Sequence, residues 1–448
     1  MTAAAAYWPE FITTRDATLA GAVGGLAQSQ HLPLAALRAG QQAQLTNLLR
    51  SAVKQVPWYG RADWAAATLA AIEREPAMFW QHWARIPLLT KPELRAHGAA
   101  LRARSVPAAH APLGTVSTSG STGIPVEVQT TTVTRLAWDA QTAREHGWRE
   151  RDLSGRLGAI RAMKRDQRAP AGLQLPNWGS PMARLGPTGP SGAIHIGLDL
   201  ELVRAWLTRF DPHYLLTYPS LIAALLDIPG SRPPALREVR LMSEPLDPEL
   251  EARLRAEWGV GVADVYSANE VGNIAMRCAA DSLHTLPESI LVEILDERGE
   301  PCAVGETGRV VLTPLHNVAQ PLIRFEIGDY ATVGPPCRCG RTHPVLARVM
   351  GRVRNIAVKP DGKRFWPTTL LLVRKIEAIR QFQYVQTAPD AIELRVVLDR
   401  PLSTAEQQTA IATVQRVLAY PYRVDIRPVA AIERGPTGKF EEFLSLIA

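Results

Sequence analysis

Apolar positions in the first hundred residues recur at helical spacing, most clearly in "LPLAALRAGQQAQLTNLLRSAVKQV", and so predict helices. "ARIPLLTKPELRAHG" reads as a loop and then a helix whose start Thr90 and Pro92 mark. From about 114 to 270, short apolar runs such as "YLLTYP" and "LREVRLMSE" alternate with helix-like stretches such as "PELEARLRAEWG". That alternation predicts an α/β body of layered sheets. Between 287 and 334 the pattern turns to strands and turns, "ILVEILDERGEPC", "TGRVVLTPL" and "YATVG", which predict a β-rich subdomain. After Gly351 the character changes again. "RNIAVKPDGKRFWP" reads as a hairpin with an Asp-Gly turn, followed by a helix to about Ile379 and strands in "FQYVQT" and "AIELRVVL". A second helix, "TAEQQTAIATVQRVLA", and a strand, "YRVDIRPV", complete a small α+β unit. The expected domains are therefore 1–351 and 352–448.

One loop stands out from this pattern. "TSGSTGIP", from Thr118 to Pro125, is rich in glycine and small hydroxyl residues and precedes the strand-like "VEVQTTTV". Backbone amides in such a turn can converge on an anion, because glycine permits close approach and positive φ. It differs from a Walker loop, which ends in Gly-Lys-Ser/Thr and opens a helix. An ordinary surface turn is the alternative on this stretch alone.

Composition narrows the class. Of 448 residues 46% are hydrophobic and 21% charged, the balance of a globular protein of two to four domains. Fifty basic and forty-three acidic residues leave +7, spread along the chain. With no basic tract or nucleic-acid module, that charge suits anionic small substrates and gives no reason to expect nucleic acid. The N-terminus carries no signal-like segment, and no apolar run approaches the roughly 20 residues that span a bilayer. The expectation is a cytoplasmic protein without membrane contact, a monomer or homodimer. The four cysteines are then thiols or metal ligands rather than a disulfide framework.

Further stretches follow the loop in order. "LMSEPL" holds Ser243 and Glu244, and "DVYSANEVG" holds Tyr266, Ser267 and Glu270. "RFEIGD" ends in Asp329, "GRVRN" contains Arg352 and Arg354, and "RGPTGKF" sets Lys439 in a glycine-bounded loop. Taken together, their order and spacing resemble the adenylate-forming superfamily of acyl-CoA synthetases, peptide-synthetase adenylation domains and luciferases. "VPWYG", "IPLLTKPELR" and "CRCGRTHP" are similar to its phenylacetate–CoA ligase-like branch.

The resemblance implies that ATP activates a carboxylic acid as an acyl-adenylate, releasing pyrophosphate. Transfer to CoA then gives a thioester; an amine or a carrier-protein thiol is the alternative acceptor. It implies that Thr118, Ser119, Gly120, Ser121, Thr122 and Gly123 hold phosphates, and that Ser243, Glu244, Tyr266 and Ser267 line the adenine side. Asp329 would accept the ribose hydroxyls, Glu270 would hold Mg²⁺, Arg352 would approach the ribose or phosphate, and Lys439 would neutralise charge during adenylation. The acid pocket would draw on Trp138, Tyr214, Tyr218 and Ser220, and its aromatic residues favour an aromatic acid. The C-terminal domain would be mobile, pivoting at Arg354, where many relatives carry Asp or Lys. Ile124, where many have lysine, and the irregular 165–197 region also depart from the pattern.

Cys278 and His284 are separated by five residues, and Cys337 and Cys339 by one. Three thiolates and an imidazole form a closed tetrahedral set for structural zinc, and the branch resemblance supports Zn²⁺ over unlinked thiols and a surface histidine. Cys302 is expected to pack as a small hydrophobe.

Overall fold

The computed structural model describes residues 18–118, 126–164, 167–352, 356–365, 367, 370–434 and 439–447, and the chain divides into two compact units. One unit comprises Met1–Gly155, Leu175–Pro190 and Ala263–Val349. Its helices Leu19–Ser29, Leu34–Gln55 and Asp63–Arg74 occupy the stretch predicted helical. In Leu34–Gln55 the inward residues Leu37, Gln41, Leu45, Leu48 and Ala52 recur every three or four positions, one face of a helix. Thr90 caps Lys91–His97 in a capping box with Glu93, satisfying two orphan amides at once.

The Gly/Ser/Thr stretch joins the antiparallel strands Gly114–Thr118 and Val126–Thr130, with Thr118 opposite Val126. The strand predicted through "VEVQTTTV" stops at Thr130, because the Thr131 hydroxyl accepts from Thr134 N and starts the helix Thr132–Trp148. Strands Ile290–Leu295, Thr307–Pro314, Phe325–Gly334, Val345–Arg352, Leu283–Thr285, Gly272–Arg277 and Gly261–Ala268 follow one another in a sheet. The first three are the predicted β-rich segment, paired antiparallel.

The other unit comprises Arg156–Gln174, Ser191–Val262 and Met350–Ala448. Glu238–Met242, Tyr214–Thr217, Leu157–Arg161 and Ser191–His195 pair side by side as parallel strands. The helix Leu200–Phe210 buries Val203, Trp206, Leu207 and Phe210. The ring of Phe210 leaves so little room that a Cβ on Gly192 would meet it at 2.9 Å. The irregular 165–197 region thus contains a core strand, Ser191–His195, whose small residues make space for aromatic rings.

The tail has its own four-stranded sheet, ordered Arg423–Pro428, Ala391–Leu398, Ile379–Ala388 and Phe443–Ser445. Phe382, Tyr384, Leu394, Val414 and Tyr422 form its core with the helix Thr404–Val417. The predicted hairpin pairs Ala357–Val358 with Arg364–Phe365, and Gly362 supplies the left-handed turn residue at φ +80°. The helix expected to reach Ile379 is instead a 3₁₀ segment, Leu370–Lys375, and Ile379 opens a strand. Leu370, Val373 and Ile376 are buried, a spacing of three that suits a 3₁₀ turn better than an α-helix.

Candidate active site

In the first unit Tyr266 lies near the end of the strand Gly261–Ala268, and its hydroxyl donates to Asp329 Oδ2 at 2.8 Å. Gly328, at φ +81°, gives the chain the left-handed step just before Asp329. Glu270 is buried two residues beyond the Tyr266 strand, with Lys91 Nζ 3.8 Å from Oε1. Between them Asn269 Nδ2 donates to Ser117 O at 3.2 Å, bracing the base of the Gly/Ser/Thr hairpin. Tyr266, Glu270, Asp329 and the end of that hairpin therefore share one corner. Ser267 is paired with Asn273 across an irregular register. Trp138 lies over Gly272, where a Cβ would stand 2.1 Å from the indole Nε1. Asn273 Nδ2 also donates to Trp138 O at 3.3 Å. Ser119, Gly120, Ser121, Thr122, Gly123 and Arg354 lie outside the described residues, as do the side chains of Thr118 and Arg352.

In the second unit the carboxyl ends of the parallel strands carry chemistry side by side. Glu244 accepts from Ser220 N and Oγ, each at 2.9 Å, and from Phe440 N at 2.6 Å. Arg434 Nη1 donates to Ser220 Oγ at 2.7 Å and lies 3.4 Å from Glu244 Oε1. Residues 435–438 lie outside the described residues, but the chain on both sides of them is thus fastened to Glu244, with Lys439 next to the anchoring Phe440. Burial raises the Glu244 carboxyl above its ordinary range, and the Arg434 guanidinium opposes that shift. Ser243 adopts φ +70° immediately before it, an uncommon conformation for a residue other than glycine. Tyr218 is buried, and its hydroxyl accepts from Ala162 N at 3.5 Å. Tyr214 sits apart from these groups. It opens the strand that Thr217 closes, on the order of 10 Å from the carboxyl edge, and packs in the core at 7% exposure.

Cys278, His284, Cys337 and Cys339 converge, with all four donor atoms within 4.8 Å of one another. Cys278 Sγ lies 3.8 Å from Cys337 Sγ, and Cys339 Sγ lies 3.3 Å from His284 Nε2. His284 Nδ1 faces the His343 carbonyl at 3.2 Å, so Nδ1–H donates and Nε2 is left for a ligand bond. Cys302 stands apart, half-buried against Gly308.

No family model matches the chain. A phenylacetate–coenzyme A ligase of Thermus thermophilus is 26% identical over 401 residues, covering 83% of each chain. The enzyme of the same name from Pseudomonas putida is 25% identical over 222 residues, covering 45% of this chain and 47% of its own. Among solved structures, 2-hydroxyisobutyryl-CoA ligase in its postadenylation state superposes with a TM-score of 0.72 at 19% identity. That match covers 94% of this chain and 91% of the other. Along most of its length the chain is thus similar to a phenylacetate–coenzyme A ligase, and it shares the fold of an acyl-CoA ligase. Its fold, an α/β body with a small α+β C-terminal part, is the one that the sequence predicts.

Several residues that touch these candidates have no clear signal in the sequence. Lys91 stands inside "IPLLTKPELR", where only its neighbours as helix-start signals attract notice. Arg434, the first residue of "RGPTGKF", looks like an ordinary surface charge until its contact with Ser220 appears. Glu442 has no local signature. Its carboxyl is raised from 4.5 to about 8, chiefly by burial, with Glu244 and Asp247 adding and Arg374 and Arg434 opposing.

That shift has a sign. A carboxyl that holds its proton more tightly when folded favours the fold in acid and costs stability as pH climbs through about 8. Glu442→Gln removes the cost. Its melting temperature should therefore gain on wild type between about pH 5 and about pH 9. Parallel melting curves for the two proteins across that range would refute the assignment.

Proposed function

We propose that this chain is an AMP-forming carboxylate–CoA ligase. The observation that carries the reading is the corner formed by Tyr266, Asp329 and Glu270, braced through Asn269 to the base of the Gly/Ser/Thr hairpin. A carboxylate becomes an acylating agent only when its oxygen acquires a leaving group, and AMP is that group. The acid attacks the α-phosphate of ATP, an oxygen–phosphorus bond forms, and pyrophosphate departs. The work left to the protein is positioning and stabilisation of phosphoryl charge. In this reading Thr118 to Gly123 hold the terminal phosphates, Tyr266 packs on adenine with Ser267 next to it in the chain, and Asp329 accepts from the ribose; Ser243 and Glu244 keep the adenine role that the motif order implies. Glu270 would hold Mg²⁺, a hard cation that prefers carboxylate oxygen. Lys439 neutralises charge in the transition state, and Arg352 meets the ribose or phosphate. The thiol of CoA then attacks the acyl carbon and displaces AMP, with 352–448 as the moving domain and Arg354 its pivot. Trp138, Tyr214, Tyr218 and Ser220 remain the proposed acid-pocket residues, with an aromatic acid the preferred substrate class.

Pyrophosphate release across a panel of carboxylic acids, with and without CoA, tests this directly. Release with at least one acid, and thioester formation only with CoA, is expected. Release without any thioester would reassign the acceptor, and no release would end the reading.

The nucleotide assignment carries its own test. Asp329→Asn should lower kcat/KM for ATP roughly tenfold, because one accepting oxygen becomes a donor while the other remains. Wild type should discriminate against 2′-deoxy-ATP, and the variant should discriminate less. Equal discrimination by both proteins would place Asp329 away from the ribose.

We also propose that the Cys3His cluster holds a structural zinc ion. A tetrahedral site with Zn–S bonds of about 2.3 Å sets its sulfurs about 3.8 Å apart, which the Cys278–Cys337 separation of 3.8 Å fits. The donor set also fits, being soft thiolates with one imidazole whose other nitrogen is held by a carbonyl. Four protein ligands leave no open position, so the ion's contribution is to the fold.

A further inference from the structure

The carboxyl ends of the strands Leu157–Arg161 and Ser191–His195 carry a second set of polar groups that adenylation does not use. Parallel pairing places Arg161 opposite His195. The chain then turns so that Met163 N donates to His195 Nδ1 at 3.0 Å, while Arg168 Nε donates to Met163 O at 3.0 Å. An Nδ1 that accepts from a backbone amide is unprotonated, so the neutral imidazole carries its proton on Nε2. Burial and the neighbouring Arg168 both disfavour the doubly protonated ring, and the Arg161 backbone carbonyl opposes them. The ring therefore presents Nε2–H as a fixed donor. The backbone runs close beside it, since a Cβ on Gly197 would lie 2.9 Å from Nε2.

Arg161, Lys164 and Arg168 are exposed around this donor, and none of them forms an ion pair with a described residue. On the other side Tyr218, which meets Ala162 N, leads into Ser220 and Glu244. Ligands of parallel α/β sheets bind outside the carboxyl ends of the strands. A neutral acid needs nothing of this kind, whereas a carboxylate or phosphate would be met by two guanidinium groups and one N–H.

We infer that Arg161, Arg168 and His195 form a subsite for an anionic oxygen group on a ligand of the proposed ligase reaction. The inference rests on the acid-activating reading of the adjoining site. Carboxylate and phosphate share the required chemistry, and two molecules could bring it: an acid with a second carboxylate, or CoA through its phosphates. The test uses the full chain and the double variant Arg161→Gln/Arg168→Gln, both positions being exposed.

Acid-dependent ATP–pyrophosphate exchange, run without CoA, compares matched mono- and dicarboxylic acids. Thioester formation at saturating acid compares CoA with pantetheine, which lacks the phosphates. Wild type should favour one anionic partner roughly tenfold or more, as hydrogen bonds to charged groups allow, and the double variant should lose that preference. Loss of the dicarboxylate preference assigns the group to the acid; loss of the CoA preference assigns it to the acceptor. His195→Gln, which keeps a donor, should retain more of the preference than His195→Leu. A double variant that keeps both ratios within about twofold of wild type overturns the subsite. If no acid supports exchange even in wild type, the ligase reading fails by itself. The subsite is then judged by calorimetry with phthalate and adenosine 3′,5′-bisphosphate, and equal or absent binding in wild type and double variant overturns it.

Discussion

Lys439→Ala should lower the rate of adenylate formation about 10²–10³-fold, the scale of losing one charge-stabilising group from a transition state. Phe440 N donates to Glu244 at 2.6 Å, and Arg434 donates to Ser220 Oγ at 2.7 Å while touching the same carboxylate. The segment carrying Lys439 is thereby fastened to the carboxyl edge of the parallel strands, where Ser243 and Glu244 lie. An ammonium group placed there matters most when the α-phosphate carries extra charge, so its removal should act on kcat more than on ATP binding. Pyrophosphate release and nucleotide binding, measured separately, give the split. Thioester formation from a supplied acyl-adenylate should survive in the variant, because no phosphoryl charge develops in that step. A variant that releases pyrophosphate at near wild-type rate would remove Lys439 from the reaction.

Legibility in the sequence follows the strength of local physics. The capping box at Thr90 and Glu93, the hairpin around the Gly/Ser/Thr loop and the tail strands are readable because each is specified by neighbours within a few residues. The helix Thr132–Trp148 is not, since it buries Gln141, Arg144, Glu145 and His146 alongside its apolar residues. Those polar groups blur the apolar stripe and are satisfied only by partners distant in sequence, as Arg144 is by Glu288. The strand Ser191–His195 is hidden for the opposite reason: its glycine and alanine carry little hydrophobic signal and exist to admit aromatic rings from elsewhere. Candidate site residues divide the same way. Motif order brings Tyr266, Glu270 and Asp329 forward, but Lys91, Arg434 and Glu442 act through contacts that only folding creates. Tyr214 shows a further limit: the apolar run "YLLTYP" does not say which end of its parallel strand each residue occupies.

Loss of the metal cluster should have the largest effect on stability. Metal analysis of the purified chain should find up to one zinc per molecule, and Cys337→Ser should abolish it. Structural zinc sites contribute apparent binding free energies of about 10–16 kcal/mol in small peptides; even a fraction of that, about 3 kcal/mol, would lower the melting temperature of a chain this long by about 3 °C. The geometry explains why the loss would spread. The segment after Cys339 continues into Arg341, Thr342 and His343. Arg341 Nε donates to Gln30 Oε1 at 3.0 Å, and Thr342 Oγ1 donates to Leu32 O at 2.5 Å. His343 Nε2 meets Glu288 at 3.0 Å, and Glu288 also accepts from Ser29 and Arg144. The guanidinium groups of Arg144 and Arg341 both lie over Trp148, 4.7 and 4.6 Å from its ring centroid. A loop released from its metal would therefore loosen its hold on the end of the helix Leu19–Ser29 and change the surroundings of Trp148. Chelation should accordingly shift tryptophan emission and expose the 29–32 segment to protease, both independent of catalysis. Cys302→Ser is the control, since that thiol packs against Gly308 away from the cluster, and it should leave zinc content unchanged. Protein that contains no zinc and melts alike before and after Cys337→Ser would reduce the cluster to four packed side chains.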